Sequence, residues 1–154
     1  MKRDSRLSGA LHVLLHLSNQ RAPATSEVLA NALHTHPVVV RRTLAGLREH
    51  GYVRSIKGHG GGWTLACVPS DVTLRDVYTA LGCPALLAIG HRTEAPVCLV
   101  EQAVNAALGR AAHDAESMLL ARLGELTLAA LCADVDTRLV LRGGCHDLGG
   151  THAA

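Results

Sequence analysis

The chain has 154 residues, 48% of them hydrophobic but only 2% aromatic and none Phe, so a core must be built from Leu, Val and Ala, which suits close-packed helices in one domain or one domain with an appendage. The net charge of +2 is unevenly spread: residues 1–66 hold nine Lys and Arg against three acids, residues 67–154 six Arg against ten acids. That asymmetry points to a polyanion-binding unit joined to something else, and no apolar run approaches the roughly 18 residues that a membrane span needs.

In chain order, Ser8 to Ser18 carries Leu7, Leu11, Leu14 or Leu15, and Leu17 or Ser18 at helical spacing. Its apolar stretch is short, holds His12 and His16 and lacks a cleavage pattern, so it reads as a core helix and not as a signal peptide. Ala22-Pro-Ala-Thr25 is a turn, and Thr25 or Ser26 can cap a second helix through Leu33 with Val28, Leu29 and Ala32 inward. After the turn His34-Thr-His36, Pro37 suits the first position of a third helix to His50, with Val40, Leu44 and Leu47 inward. Gly51 fits its C-terminal cap. Val53 to Ile56 and Trp63 to Ala66 read as two strands joined by a hairpin tip with Gly58, Gly60, Gly61 and Gly62, where the backbone can turn sharply and approach another molecule. Thr73-Leu-Arg-Asp76 predicts a capping box opening a fourth helix to Leu81. Gly82 to Pro96 is a loop. From near Val97 a long helix follows, with an apolar stripe through Val100, Val104, Leu108, Ala111, Ala115, Met118 and Leu119, Arg122 and Leu123, and Leu126. About 25 residues would span roughly 37 Å, too long for so small a domain to cover, so a partner helix is expected.

A basic, flexible hairpin placed straight after an arginine-bearing helix is the arrangement of a winged helix-turn-helix, which puts a helix in the major groove and the hairpin beside it on the backbone or in the minor groove. The fold class expected is mainly α with a small β-hairpin wing plus a long dimerisation helix. The candidate DNA contacts are Val38, Arg41 and Arg42 on the third helix, Arg48 at its end, Lys57, His59, Gly60 and Gly61 on the wing, and Ser5 and Arg6 where the first helix starts. Other chemistries are poorly supported. His59-Gly-Gly-Gly-Trp63 is similar to the oxyanion motif of some esterases, but no G-x-S-x-G elbow accompanies it. No Gly-Lys-Ser/Thr follows the glycines, so a phosphate-binding loop is unsupported. The ten histidines are scattered, and His12 with His16 reads as packing or a solvated face rather than a metal site. The five cysteines, Cys67, Cys83, Cys98, Cys132 and Cys145, include no C-x-x-C pair, which suits reduced thiols in the cytoplasm. Cys67 is expected to be buried and inert. No enzymatic activity is expected.

The order of parts resembles the Rrf-two (Rrf2) family of bacterial winged-helix regulators over roughly residues 5–133. The resemblance rests on Leu7-Ser8, Ser26-Glu-Val-Leu-Ala30, Leu44-Ala-Gly-Leu-Arg-Glu-His-Gly-Tyr-Val-Arg-Ser55, Gly58-His-Gly-Gly-Gly-Trp-Thr-Leu-Ala66, Val72-Thr-Leu-Arg-Asp-Val77 and Leu126-Thr-Leu-Ala-Ala130. It implies a homodimeric DNA-binding transcription regulator whose long helix crosses to the partner subunit. Many members carry three closely spaced cysteines in the loop after the fourth helix, holding an iron–sulfur cluster. Here Cys98 resembles the last of the three, while the first two have no counterpart between Gly90 and Pro96. No cofactor and no metal is therefore expected, since thiolates dominate cluster ligation. The third helix often carries Glu-Gln where this chain has Arg41-Arg42, so base preference is expected to differ.

These readings assemble into a winged helix-turn-helix DNA-binding domain over 1–81, a sensor loop over 82–97, dimerisation helices over 98–133 and a disordered tail over 134–154. The function expected is a cytoplasmic homodimer that binds a pseudo-palindromic operator in double-stranded DNA and represses transcription, with no membrane partner. A redox or ligand signal would enter through Cys83 and Cys98. A protein-interaction module, its winged domain no longer binding DNA and its long helix recruiting a partner, is the competing class.

Overall fold

The computed structural model describes residues 5–87 and 97–141. Its elements are α1 (Arg6–Asn19), α2 (Ser26–Ala32), α3 (Pro37–Glu49), β1 (Val53–Ile56), β2 (Gly62–Leu65), α4 (Leu74–Ala80), α5 (Leu99–Glu125) and α6 (Leu128–Leu141), with one 3-10 turn at Pro69–Asp71. The mainly helical fold with a two-stranded wing is as expected, and several boundaries differ. The first helix starts at Arg6, ahead of Ser8. The last helix continues to Leu141, past residue 133, where the sequence reading ends the ordered chain. Residues 142–154 of the expected tail, and 88–96 of the expected sensor loop, lie outside the described residues.

The core is aliphatic, as a chain without Phe requires. Ala10, Val13, Leu14 and Leu17 of α1 meet Leu29 and Ala30 of α2, Val40, Leu44 and Leu47 of α3, Val53, Val77 and Ala80, and Leu128. The inward positions of α3 are those its periodicity predicts. In α2 Leu29 is buried and Ala32 partly covered as predicted, whereas Val28 is half exposed and Ala30 is buried in its place. Leu7 and Leu11 are only partly buried, at the edge of the core.

Two sequence-distant segments close the domain. Leu74 N–H donates to the Leu126 carbonyl and Leu128 N–H to the Val72 carbonyl, each at 2.9 Å, pairing the entry of α4 with the turn between α5 and α6. The predicted capping box is present: Thr73 N–H donates to Asp76 Oδ2 at 2.8 Å and Asp76 N–H to Thr73 Oγ1 at 3.2 Å. The Thr73 hydroxyl and N–H hold the Asp76 carboxyl below its ordinary value. On the far side, α6 lies against α1, where Ser18 Oγ and Cys132 Sγ are 3.3 Å apart.

Helix α5 is unlike the others. It is 27 residues long and has no buried residue, and Val100, Val104, Leu108, Met118 and Leu119 are exposed. Among the described residues no helix is long and apolar enough to cross a membrane.

Candidate nucleic-acid interface

Helices α2 and α3 form a helix-turn-helix whose parts are set by local chemistry. Thr25 caps α2, its Oγ1 accepting from Val28 N–H at 3.3 Å. The turn needs one left-handed residue, and His34 takes that role with φ 51°. His36 caps α3 through Nδ1, which accepts from Val38 N–H at 3.3 Å, and Pro37 occupies the first turn, where its missing N–H costs nothing. The cap by His36 was not legible in the sequence, since Ser, Thr, Asp and Asn are the usual signals.

The wing is tied to this unit rather than hanging from it. Its strands pair antiparallel, Val53 opposite Leu65 and Ile56 opposite Gly62. Strand β2 also bridges to the segment before α2: Ala24 N–H donates to the Trp63 carbonyl at 2.9 Å and Trp63 N–H to the Ala24 carbonyl at 2.8 Å. Trp63 Nε1 donates to Ser26 Oγ at 3.1 Å. Two glycines are sterically required here. A Cβ on Gly61 would stand 2.2 Å from the Ile56 carbonyl oxygen, and one on Gly62 would stand 2.7 Å from the Ala24 backbone, with φ already at +150°. The predicted turn Ala22-Pro-Ala-Thr25 thus doubles as a third short strand position against the wing.

The ten candidate contacts distribute as follows. Val38, Arg41 and Arg42 are exposed on the first half of α3, and Lys57, His59 and Gly60 are exposed at the wing tip with Gly61 partly covered. Ser5 and Arg6 stand at the start of α1, beside a cavity of about 380 Å³ that also reaches His12, His34, Val39 and Thr43. The structure therefore brings the start of α1 next to the helix-turn-helix, a proximity no local pattern encodes. Two arginines already have partners that sequence reasoning missed. Arg41 Nη1 lies 3.3 Å from Glu27 Oε1, with 53% and 63% of the two side chains exposed, so the pair is weak in water and readily exchanged for another partner. The Arg48 guanidinium lies 6.0 Å from the centre of the Trp63 ring, at the outer limit of a cation–π contact, and so braces α3 against β2. Neither partnership has a periodic signal, because 14 and 15 residues separate the members.

The sensor candidates are also located. Cys83 follows α4 with φ 52°, exposed, and Cys98 is the exposed N-cap residue of α5. Both are free thiols. The N–H groups of Glu101 and Val100 pull the Cys98 thiol below its ordinary value, as a helix N-terminus should. Cys67 is half buried rather than fully so, and burial pushes its thiol up. The donors do not fit a cluster held by three loop thiolates: residues 88–96 contain no cysteine, and among the described residues no three His, Cys, Asp or Glu side chains converge.

Comparison with known proteins agrees with this geometry. The family Rrf2, described as an iron-dependent transcriptional regulator, matches residues 3–134. YwnA of Bacillus subtilis, named as an HTH-type transcriptional regulator, is 33% identical over 105 residues, covering 68% of this chain and 77% of its own length. A crystal structure of a Lactobacillus plantarum protein described as a transcriptional regulator superposes with a TM-score of 0.72 at 26% identity, over 90% of this chain and 94% of that one. IscR of T. potens superposes at 0.63 and 20% identity over 88% of each chain, which speaks for the fold alone. A family match over most of the chain, the winged helix-turn-helix and the wing's required glycines lead to one conclusion: the chain belongs to the Rrf2 family of winged-helix transcriptional regulators.

Proposed function

We propose that the protein acts in the cytoplasm as a homodimer that binds a pseudo-palindromic operator and represses transcription from it. The observation that carries this reading is that the start of α1, with Arg6, lines one cavity with the turn into α3 and the first half of α3, while Arg41 and Arg42 on α3 and Lys57 and His59 at the glycine-rich wing tip are exposed. In this reading α3 enters the major groove, with Val38 suited to a thymine methyl and Arg41 and Arg42 to guanine O6 and N7. Lys57, His59, Gly60 and Gly61 lie on the backbone or in the adjacent minor groove, Ser5 and Arg6 meet a phosphate, and Arg48 holds the wing in register while facing the backbone. The exposed apolar side chains of α5 support the second copy.

Gel-shift with the protein's own promoter tests the reading. If each subunit neutralises about four phosphates, log K falls with log salt at a slope near −7 for the dimer. Arg41→Ala relaxes sequence preference by about 1–3 kcal/mol at the base it reads, whereas Lys57→Ala weakens all sequences alike and makes the slope shallower by about one. Binding that is absent on every promoter fragment, or indifferent to salt, rejects the reading in favour of a partner-recruiting module.

The signal in this reading enters through Cys98, with Cys83 as the second thiol. The motive is its exposure together with the N–H groups that favour its thiolate. Peroxide treatment followed by mass mapping and gel-shift is expected to modify Cys98 and lower operator affinity in the wild type but not in Cys98→Ser. A Cys98 that stays reduced, with unchanged DNA binding, removes the thiol from the mechanism.

A further inference from the structure

We propose that His12 and His16, one turn apart on α1, form a chelating site for an imidazole-seeking divalent transition ion, held in the order Cu²⁺ above Ni²⁺ and Zn²⁺. The two Nε2 atoms are 3.1 Å apart and the ring centres 4.8 Å apart with planes 30° from parallel. Two nitrogens bound to one ion at about 2.05 Å stand about 2.9 Å apart at a right angle and about 3.3 Å apart at a tetrahedral angle. The observed separation lies between those limits, so the two nitrogens already stand at the spacing that chelation of one ion requires.

Two further features favour ligation over a solvated pair. The helix that carries the rings is anchored in the core, because Val13, Leu14 and Leu17 of α1 are buried. Little conformational entropy is then lost when the site closes. Without an ion, a 3.1 Å contact requires one Nε2 to donate and the other to accept. With an ion both Nε2 lone pairs point at it and each ring keeps its single proton on Nδ1, so no net proton is released. Among the described residues no third His, Cys, Asp or Glu joins the pair. Water completes the coordination, and the ion is exchangeable rather than structural.

The test uses the full chain without an affinity tag, stripped with chelator and titrated calorimetrically with NiCl₂ and CuCl₂. His12→Gln serves as the main variant because His12 is exposed and no core contact depends on it, and His16→Gln as the second. Each variant is expected to lose one equivalent per chain, or to bind it roughly tenfold or more weakly. The Cu²⁺ electron paramagnetic resonance spectrum is expected to change from a two-imidazole to a one-imidazole splitting pattern, with the far-ultraviolet dichroism unaltered. Unchanged stoichiometry and affinity in His12→Gln, or a wild-type spectrum without two imidazole nitrogens, overturns the proposal. In that case the rings form only a hydrogen-bonded pair.

Discussion

Leu108→Glu is expected to convert the proposed dimer to monomer and to abolish the operator binding proposed above. The reason lies in α5, none of whose 27 residues is fully buried within the chain and whose exposed apolar residues include Val104 at 50% and Leu108 at 41%, one turn apart. In a two-fold symmetric contact the substitution enters twice. A carboxylate desolvated without a partner costs about 3 kcal/mol per copy, so the two together weaken association roughly 10,000-fold. Sedimentation velocity at micromolar concentration reads the change directly, with Leu108→Met as the volume-conserving control that stays dimeric. Operator binding falls with it because two half-sites must be engaged together. A wild-type protein that sediments as a monomer contradicts the expectation at its root.

Gly62→Ala is expected to destabilise the winged domain and detach the hairpin. Its Cβ would meet the Ala24 backbone at 2.7 Å, where no side chain can move aside, and φ of +150° is itself hostile to an L residue. Strain of this kind costs about 1–3 kcal/mol, and the forced separation endangers the paired Ala24–Trp63 hydrogen bonds as well. For a chain of this size each kcal/mol lowers Tm by roughly 2–4 °C. Gly60→Ala supplies the contrast: φ is +72°, but nothing lies within 4 Å of its Cβ, so only the backbone strain is paid. Thermal melts that rank Gly60→Ala below Gly62→Ala in stability would show that the Ala24 contact does not govern the wing.

Much of the fold was legible because its signals are local. The period of Val40, Leu44 and Leu47, Pro37 at the first turn of α3, the Thr73–Asp76 box and Gly51 at the end of α3 each act within a few residues, and each appears as read. The glycine run at 58–62 marked the hairpin for a similar reason, since positive φ at Gly58, Gly60 and Gly62 demands glycine or strain. The errors are also physical. Periodicity places Val28 inward because Leu, Val and Ala are interchangeable in a seven-residue helix, whereas in the structure it is half exposed and Ala30 is buried.

The amino-acid sequence by itself determined the order of helices and strands as far as α5, the aliphatic core, the basic first half and the glycine-built wing, because propensity, capping and charge are properties of neighbouring residues. It also determined that the loop before α5 lacks the thiols for a three-cysteine cluster. Only the tertiary structure decided how the pieces meet. Packing around α1 sets its first residues beside the turn into α3, lays Arg48 over Trp63, pairs Arg41 with Glu27 and threads the α5–α6 turn against the start of α4. Each of these depends on the distance between side chains in a closed core, and no periodicity along the chain carries that information.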